Sequence, residues 1–265
     1  MATDSLNLTS ESSREGTRRY QPQLQFAQVI AIIVVALNAI VLSGWLLDIQ
    51  VLRRIVPAFD ATTANGAAAF LLLGLLLYLS AAPKRAALEA STGKKYSLML
   101  GIAATVALIG LATLLQYLLD VNLGIDELLA IDSSDSASRI PGRMSVLSAV
   151  AVLILGVVFM LRSRRLAPVL REWLALSSFA LGYLALMGYV YGAEALYRVG
   201  ATAIPVQSAL CVVLIAGASL LLPPHYGFMR PVVSKGPGGL LVRPLLPVAF
   251  FLAPAGGLLQ TRARA

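Results

Sequence analysis

The chain is 265 residues long, 58% hydrophobic and only 13% charged, against about 45–50% and about 25% in soluble globular domains. A soluble globular enzyme is excluded, and the apolar residues fall in runs of roughly 17–25, the length a helix needs to cross a hydrocarbon core of about 30 Å. The formal charge of +8 does not point to nucleic acid, because Lys and Arg form short clusters between apolar runs with no basic face; a juxtamembrane distribution accounts for them.

Residues 1–25 mix Ser, Thr, Glu and Arg without an apolar face and read as a disordered cytoplasmic tail. The first apolar run, about Leu24 to Ile49, is too long for the core of a signal peptide and lacks a small-residue cleavage pattern, so it predicts a retained transmembrane helix. Further spans follow at about Ala64–Ala82, Tyr96–Leu119, Val146–Leu161, Trp173–Tyr191 and Val206–Leu222. A seventh run, Leu245–Leu259, is short and broken by Pro247, Pro254 and Gly256-Gly257. The fold class expected is an all-α polytopic bundle of six helices in residues 26–223, with hairpins at 26–83, 96–163 and 173–223. A cytoplasmic joint at 224–244 and a partial seventh helix with a tail at 245–265 complete the chain.

Fourteen Lys and Arg residues fall on the side of the N-terminus, from Arg14 through Lys84, Arg162 and Arg171 to Arg243; five fall on the other side: Arg53, Arg54, Arg139, Arg143 and Arg198. The positive-inside rule then puts the N-terminus in the cytoplasm. Trp45, Tyr117 and Tyr189 each close an outgoing helix at 72-residue intervals. Leu46-Leu47-Asp48 aligns with Leu118-Leu119-Asp120 and Val190-Tyr191-Gly192, and the returning helices share an apolar-then-Gly pattern ending at Gly74, Gly156 and Gly217. Three copies of one hairpin in one orientation form a parallel repeat, unlike the inverted repeats of many transporters.

Trp45-Leu-Leu-Asp-Ile-Gln, Leu123-Gly-Ile-Asp-Glu-Leu-Leu, Pro141-Gly-Arg-Met-Ser and the Gly236-Pro-Gly-Gly segment together resemble the N-terminal multipass sensor region of bacterial signalling proteins, over about residues 26–255. Such regions stand ahead of PAS, histidine kinase or diguanylate cyclase modules, and the resemblance implies an eight-helix unit whose last helices lead to a cytoplasmic output domain. This chain departs from that pattern in its short seventh helix and missing eighth. A sensor input module that is truncated or works with an output partner in trans is therefore expected. A small transporter or channel subunit and a structural membrane protein are the alternatives.

The second external loop carries Asp120, Asp126, Glu127, Asp132 and Asp135 against Arg139 and Arg143. It is a candidate signal-sensing loop, because neighbouring carboxylates suit hard cations; the plainer reading is a solvated loop with a short amphipathic helix at Ile125–Ile131. Asn38, Gln116, Ser178 and Gln207 are candidate intramembrane polar contacts, and with Thr105, Thr113 and Ser177 they fit hydrogen bonding between helices better than a substrate path. Trp45, Tyr117 and Tyr189 read as interface aromatics. The only cysteine, Cys211, and the only histidine, His225, leave no disulfide, Cys cluster or His-based triad. Cys211 reads as a packing residue, His225 as a surface contact, and Glu194 with Arg198 as a pair across one helical turn. No catalytic residue, metal ligand or cofactor is expected. The expected partners are the lipid bilayer, a signalling output domain or kinase in trans, and a second copy of the chain; nucleic acid is not among them. The expected location is the bacterial cytoplasmic membrane.

Overall fold

The structure is a computed structural model and describes residues 2–54, 60–82, 92–130, 141–225, 227 and 229–230. The helices are α1 Ala2–Leu46, α2 Gln50–Arg53, α3 Ala64–Ala81, α4 Thr92–Leu119, α5 Val146–Arg164, α6 Pro168–Tyr191 and α7 Val206–Leu221. A 3₁₀ turn at Glu194–Leu196 and a two-residue antiparallel ribbon, β1 Arg198–Val199 with β2 Thr202–Ala203, join α6 to α7. The seventh apolar run and residues 226, 228 and 231–244 of the joint lie outside the described residues.

Five helices, α1 and α3 to α6, are long and apolar enough to cross a membrane. The sixth, α7, has 16 residues, about 24 Å of helix. Large apolar side chains stay uncovered on the outgoing helices, as at Ile33 (50% exposed), Leu108 (62%) and Leu184 (49%). Apolar surface spread along helices of this length is what lipid covers, and the chain is a membrane-spanning helical bundle.

Three antiparallel hairpins, α1/α3, α4/α5 and α6/α7, make up the bundle, and each helix packs most extensively on its own hairpin partner. The returning helices α3, α5 and α7 also touch one another, forming an inner triangle, while α1, α4 and α6 flank it. Burial follows this division: 61% and 50% of the apolar window is buried in α3 and α5, against 39%, 33% and 28% in α1, α4 and α6. The short α7 packs on α6, α1, α3 and α5, so a central place offsets its length.

The 72-residue repeat runs through the whole inward stripe of the outgoing helices. Ala31, Ala103 and Ala175 are equivalent and buried; so are Val41, Thr113 and Ala185. Spacings of three and four residues along one helix keep this stripe on one face. Small residues there let helices approach without a hydrophobic drive in lipid: a Cβ on Gly74 would meet Val35, one on Gly156 would meet Ala107, and one on Gly217 would meet Phe179. Positions 35, 107 and 179 are themselves 72 apart.

The ends of the outgoing helices are built identically. Asp48 (φ 56°), Asp120 (φ 50°) and Gly192 (φ 67°) are left-handed, and the following N–H reaches back five residues into the helix. Ile49 donates to the carbonyl of Gly44 at 2.9 Å, Val121 to Gln116 at 3.2 Å, and Ala193 to Gly188 at 2.8 Å. This is the Schellman closure, which satisfies carbonyls that a helix end otherwise leaves open. Asp tolerates the left-handed region better than most residues and glycine best, which is why those types stand at this position.

Four expectations are corrected. The segment read as a disordered tail belongs to α1, which starts at Ala2 and includes Pro22; once a long apolar helix exists, each added residue gains a hydrogen bond without the cost of a new nucleus. Residues 125–130 form turns and bends, not an amphipathic helix, because their polar groups bond to distant residues. Thr105, Thr113 and Ser177 bond to carbonyls of their own helices, at Gly101, Ile109 and Trp173, and so do not join helices. Glu194 and Arg198 pair at 3.4 Å, but from a 3₁₀ turn to a strand.

Candidate functional site

The three aromatics at 72-residue spacing do more than sit at an interface. Trp45 Nε1 donates to the carbonyl of Thr62 at 2.9 Å, Tyr117 Oη to Met144 at 3.1 Å, and Tyr189 Oη to Ile204 at 2.6 Å. Each acceptor lies two residues before the first residue of a returning helix. Each ring is also covered: Arg53 lies 4.3 Å above Trp45, Arg143 5.3 Å above Tyr117, and Tyr197 stacks on Tyr189 at 3.9 Å. Every hairpin is thus clasped at this turn end by one aromatic, a bond that apolar surroundings strengthen.

Against this repeat the polar residues stand out as departures. Asn38 occupies the position of Gly110 and Gly182, Gln116 that of Gly44 and Gly188, and Ser178 that of Val34 and Val106. All three are fully buried. Asn38 Oδ1, Gln116 Oε1, Ser178 Oγ and both amide atoms of Gln207 have no partner within the protein. A buried polar atom left unpaired costs about 1–3 kcal/mol, so these departures lower the stability of the bundle.

Gln116 belongs to a knot under the second loop. Its Nε2 donates to Asp126 Oδ2 at 2.8 Å, and Arg143 Nε pairs with the same oxygen at 2.8 Å. Asn65 Nδ2 donates to the carbonyl of Ile125 at 2.6 Å, and Arg143 reaches the carbonyl of Val121 at 3.3 Å. The side chains of Arg143 and Asp126 are 2% and 5% exposed, so these two loop charges are engaged with each other. Asp120 is exposed at its helix end; Asp132, Asp135 and Arg139 lie outside the described residues. Among the described residues no three His, Cys, Asp or Glu side chains gather as a metal site.

A second polar group lies in the seam between the first and third hairpins. Asn38 Nδ2 donates to the carbonyl of Val34 at 2.8 Å and to Cys211 Sγ at 3.4 Å. Thr62 Oγ1 and Ser208 Oγ are 3.5 Å apart. Gln207 stands one turn before Cys211 on α7 and shares its face. Cys211, Thr62 and Ser208 carry no signal in the sequence beyond their types, because what selects them is the pairing of the first hairpin with the third, across 173 residues for Asn38 with Cys211 and 146 for Thr62 with Ser208.

The opposite end of the bundle holds a latch. Arg162 donates to the carbonyl of Pro223 at 3.0 Å and Arg171 to that of Pro224 at 3.2 Å, while the N–H of Met229 donates to Glu172 Oε2 at 3.2 Å. Arg171 and Glu172 are buried, at 7% and 6% exposed. The chain leaving α7 is therefore pinned to the corner between α5 and α6. His225 sits partly buried in this latch. Burial lowers its pKa below 6.5, the Glu172 carboxylate opposes the shift, and Arg162 and Arg171 add to it. The folded protein then takes up the His225 proton less readily than the unfolded chain. Stability is level above pH 6.5 and falls as pH drops from 6.5 through the lowered pKa. Thermal unfolding of wild type and His225→Gln between pH 7.5 and about 5 checks this: the Gln variant loses the slope just below pH 6.5.

No family model matches this chain, and no curated protein and no solved structure matches it.

Proposed function

We propose that this membrane bundle is a sensory input module, in which a signal changes how three braced hairpins sit against each other and so biases an output unit in trans. The observation that carries this reading is the contrast between the hairpins and their seams. Each hairpin has its own aromatic clasp and helix closure, while the first meets the third across buried amides with unpaired atoms. Braced bodies joined by an unsatisfied seam suit two arrangements of similar free energy, which a ligand can bias only by binding them unequally. The pinned segment after α7 supports a route out of the bundle. A cytoplasmic N-terminus fits the same picture, because fourteen Lys and Arg residues lie on its side and five at the turn end, the bias that the positive-inside rule reads.

Spin labels on cysteines placed at Leu46, Leu118 and Val190, one equivalent exposed position per hairpin, test the reading with the native Cys211, 1% exposed, left in place. In nanodiscs of short-chain and long-chain phosphatidylcholine the distance from Leu46 to Val190 is expected to show two populations whose ratio changes with the lipid. One unchanging distance, or specific solute flux through the protein in liposomes, would overturn it.

A further inference from the structure

We propose that the seam between the first and third hairpins binds a small uncharged molecule carrying both a carbonyl oxygen and an N–H or O–H group. Asn38 stands where the other two copies place glycine, so a polar side chain has replaced a close helix contact. Its amide orientation is fixed: Nδ2 lies 2.8 Å from the carbonyl of Val34, where an oxygen would be repelled, and this leaves Oδ1 as an acceptor with no partner in the protein. One helical turn from Cys211, Gln207 is 3% exposed and has neither amide atom paired.

The N-terminus of α7 adds to this. Thr63 and Ser145 cap α3 and α5 through their side chains, but Pro205 at the equivalent position of α7 makes no side-chain cap. The seam thus offers two carbonyl acceptors and one amide donor pair near a helix start that no side chain caps, beside the hydroxyls of Thr62 and Ser208.

That set defines the ligand. The two amide oxygens call for N–H or O–H groups, and Gln207 Nε2 calls for a carbonyl. Asn38, Cys211, Gln207, Ser208 and Thr62 carry no formal charge, so an ion would enter without a counter-charge at a large desolvation cost. Asn38 lies eight residues before Leu46, about 12 Å along the helix, which places the seam within reach of the turn end.

Acetamide is the probe, with N,N-dimethylacetamide as the control that keeps the carbonyl and loses the N–H. Thermal unfolding of the full chain in nanodiscs is followed while each is titrated. Acetamide is expected to raise the wild-type midpoint in a saturable way, and N,N-dimethylacetamide is expected not to. In Gln207→Leu the half-saturating acetamide concentration rises about tenfold, as loss of hydrogen bonds to one amide implies; Asn38→Leu serves in its place should the first variant not fold. Equal shifts in wild type and variant, or no shift in wild type because water alone fills the seam, overturn the proposal. The inference rests on the input reading only for its consequence. Acetamide that stabilises without altering the Leu46 to Val190 distance leaves the site standing and removes the input role, whereas no stabilisation removes the site alone.

Discussion

Asp126→Ala is expected to destabilise the bundle by about 3–5 kcal/mol, the loss seen when one member of a buried ion pair is removed. The reason lies in what remains. Arg143, with its side chain 2% exposed, keeps its charge and its bond to the carbonyl of Val121 but loses the carboxylate that balanced it. Gln116 Nε2 loses its acceptor too, and this amide already carries one unpaired atom. Asp126→Ala together with Arg143→Met removes the stranded charge, and the pair of changes should recover most of the loss, because replacing a buried ion pair by apolar groups of similar size is often neutral. Reversible unfolding in mixed micelles measures both. If the single change costs less than about 1 kcal/mol, the usual value for an exposed pair, the pair is solvated and the loop stands open to ligands.

The hairpins were legible because the repeat is written in residues whose roles are local. An aromatic that closes a helix and an Asp or Gly three residues later recur at 72-residue spacing, each returning helix carries a glycine after an apolar run, and the structure gives the three copies the same bonds. The returning helices were legible from the apolar runs that open at about Ala64, Val146 and Val206. What could not be read was anything set by pairing between hairpins. Asn38 drew notice as a lone amide in an apolar run, yet only the fold brings Cys211 to it. Arg143 and Asp126 looked like solvated loop charges, since nothing local tells that they turn inward onto Gln116 and Tyr117. The polar start of α1 misled in the opposite sense: polarity marks a segment that gains nothing from burial, which does not stop a helix already nucleated from running through it.

Gly156→Leu should separate α4 from α5 and give the largest structural disruption of any single glycine change in the bundle. A Cβ built on Gly156 comes within 2.7 Å of the backbone N of Ala107 and 2.9 Å of its Cα, while one on Gly110 comes within 2.7 Å of the backbone N of Leu153 and 2.8 Å of the carbonyl of Ala149. The two glycines therefore sit in a reciprocal crossing in which backbone faces backbone from both sides, and no flexible side chain can yield. Adding even a methyl group forces the helices apart, at the 1–3 kcal/mol typical of overpacking. A leucine adds three more carbons to the same space. In water the hydrophobic effect would oppose separation, but lipid covers the exposed faces as well as the partner helix does, so lost close contact is not regained elsewhere. The clasp from Tyr117 to Met144 then loses its geometry, and Arg143 its seat over the ring. Gly101→Leu is the matched control, since a Cβ there meets nothing within 4 Å and leucine is a better helix former than glycine by up to about 1 kcal/mol. Cross-linking yield between cysteines placed on α4 and α5, compared in the two variants, reads the separation directly; equal yields would show that the crossing can absorb the side chain.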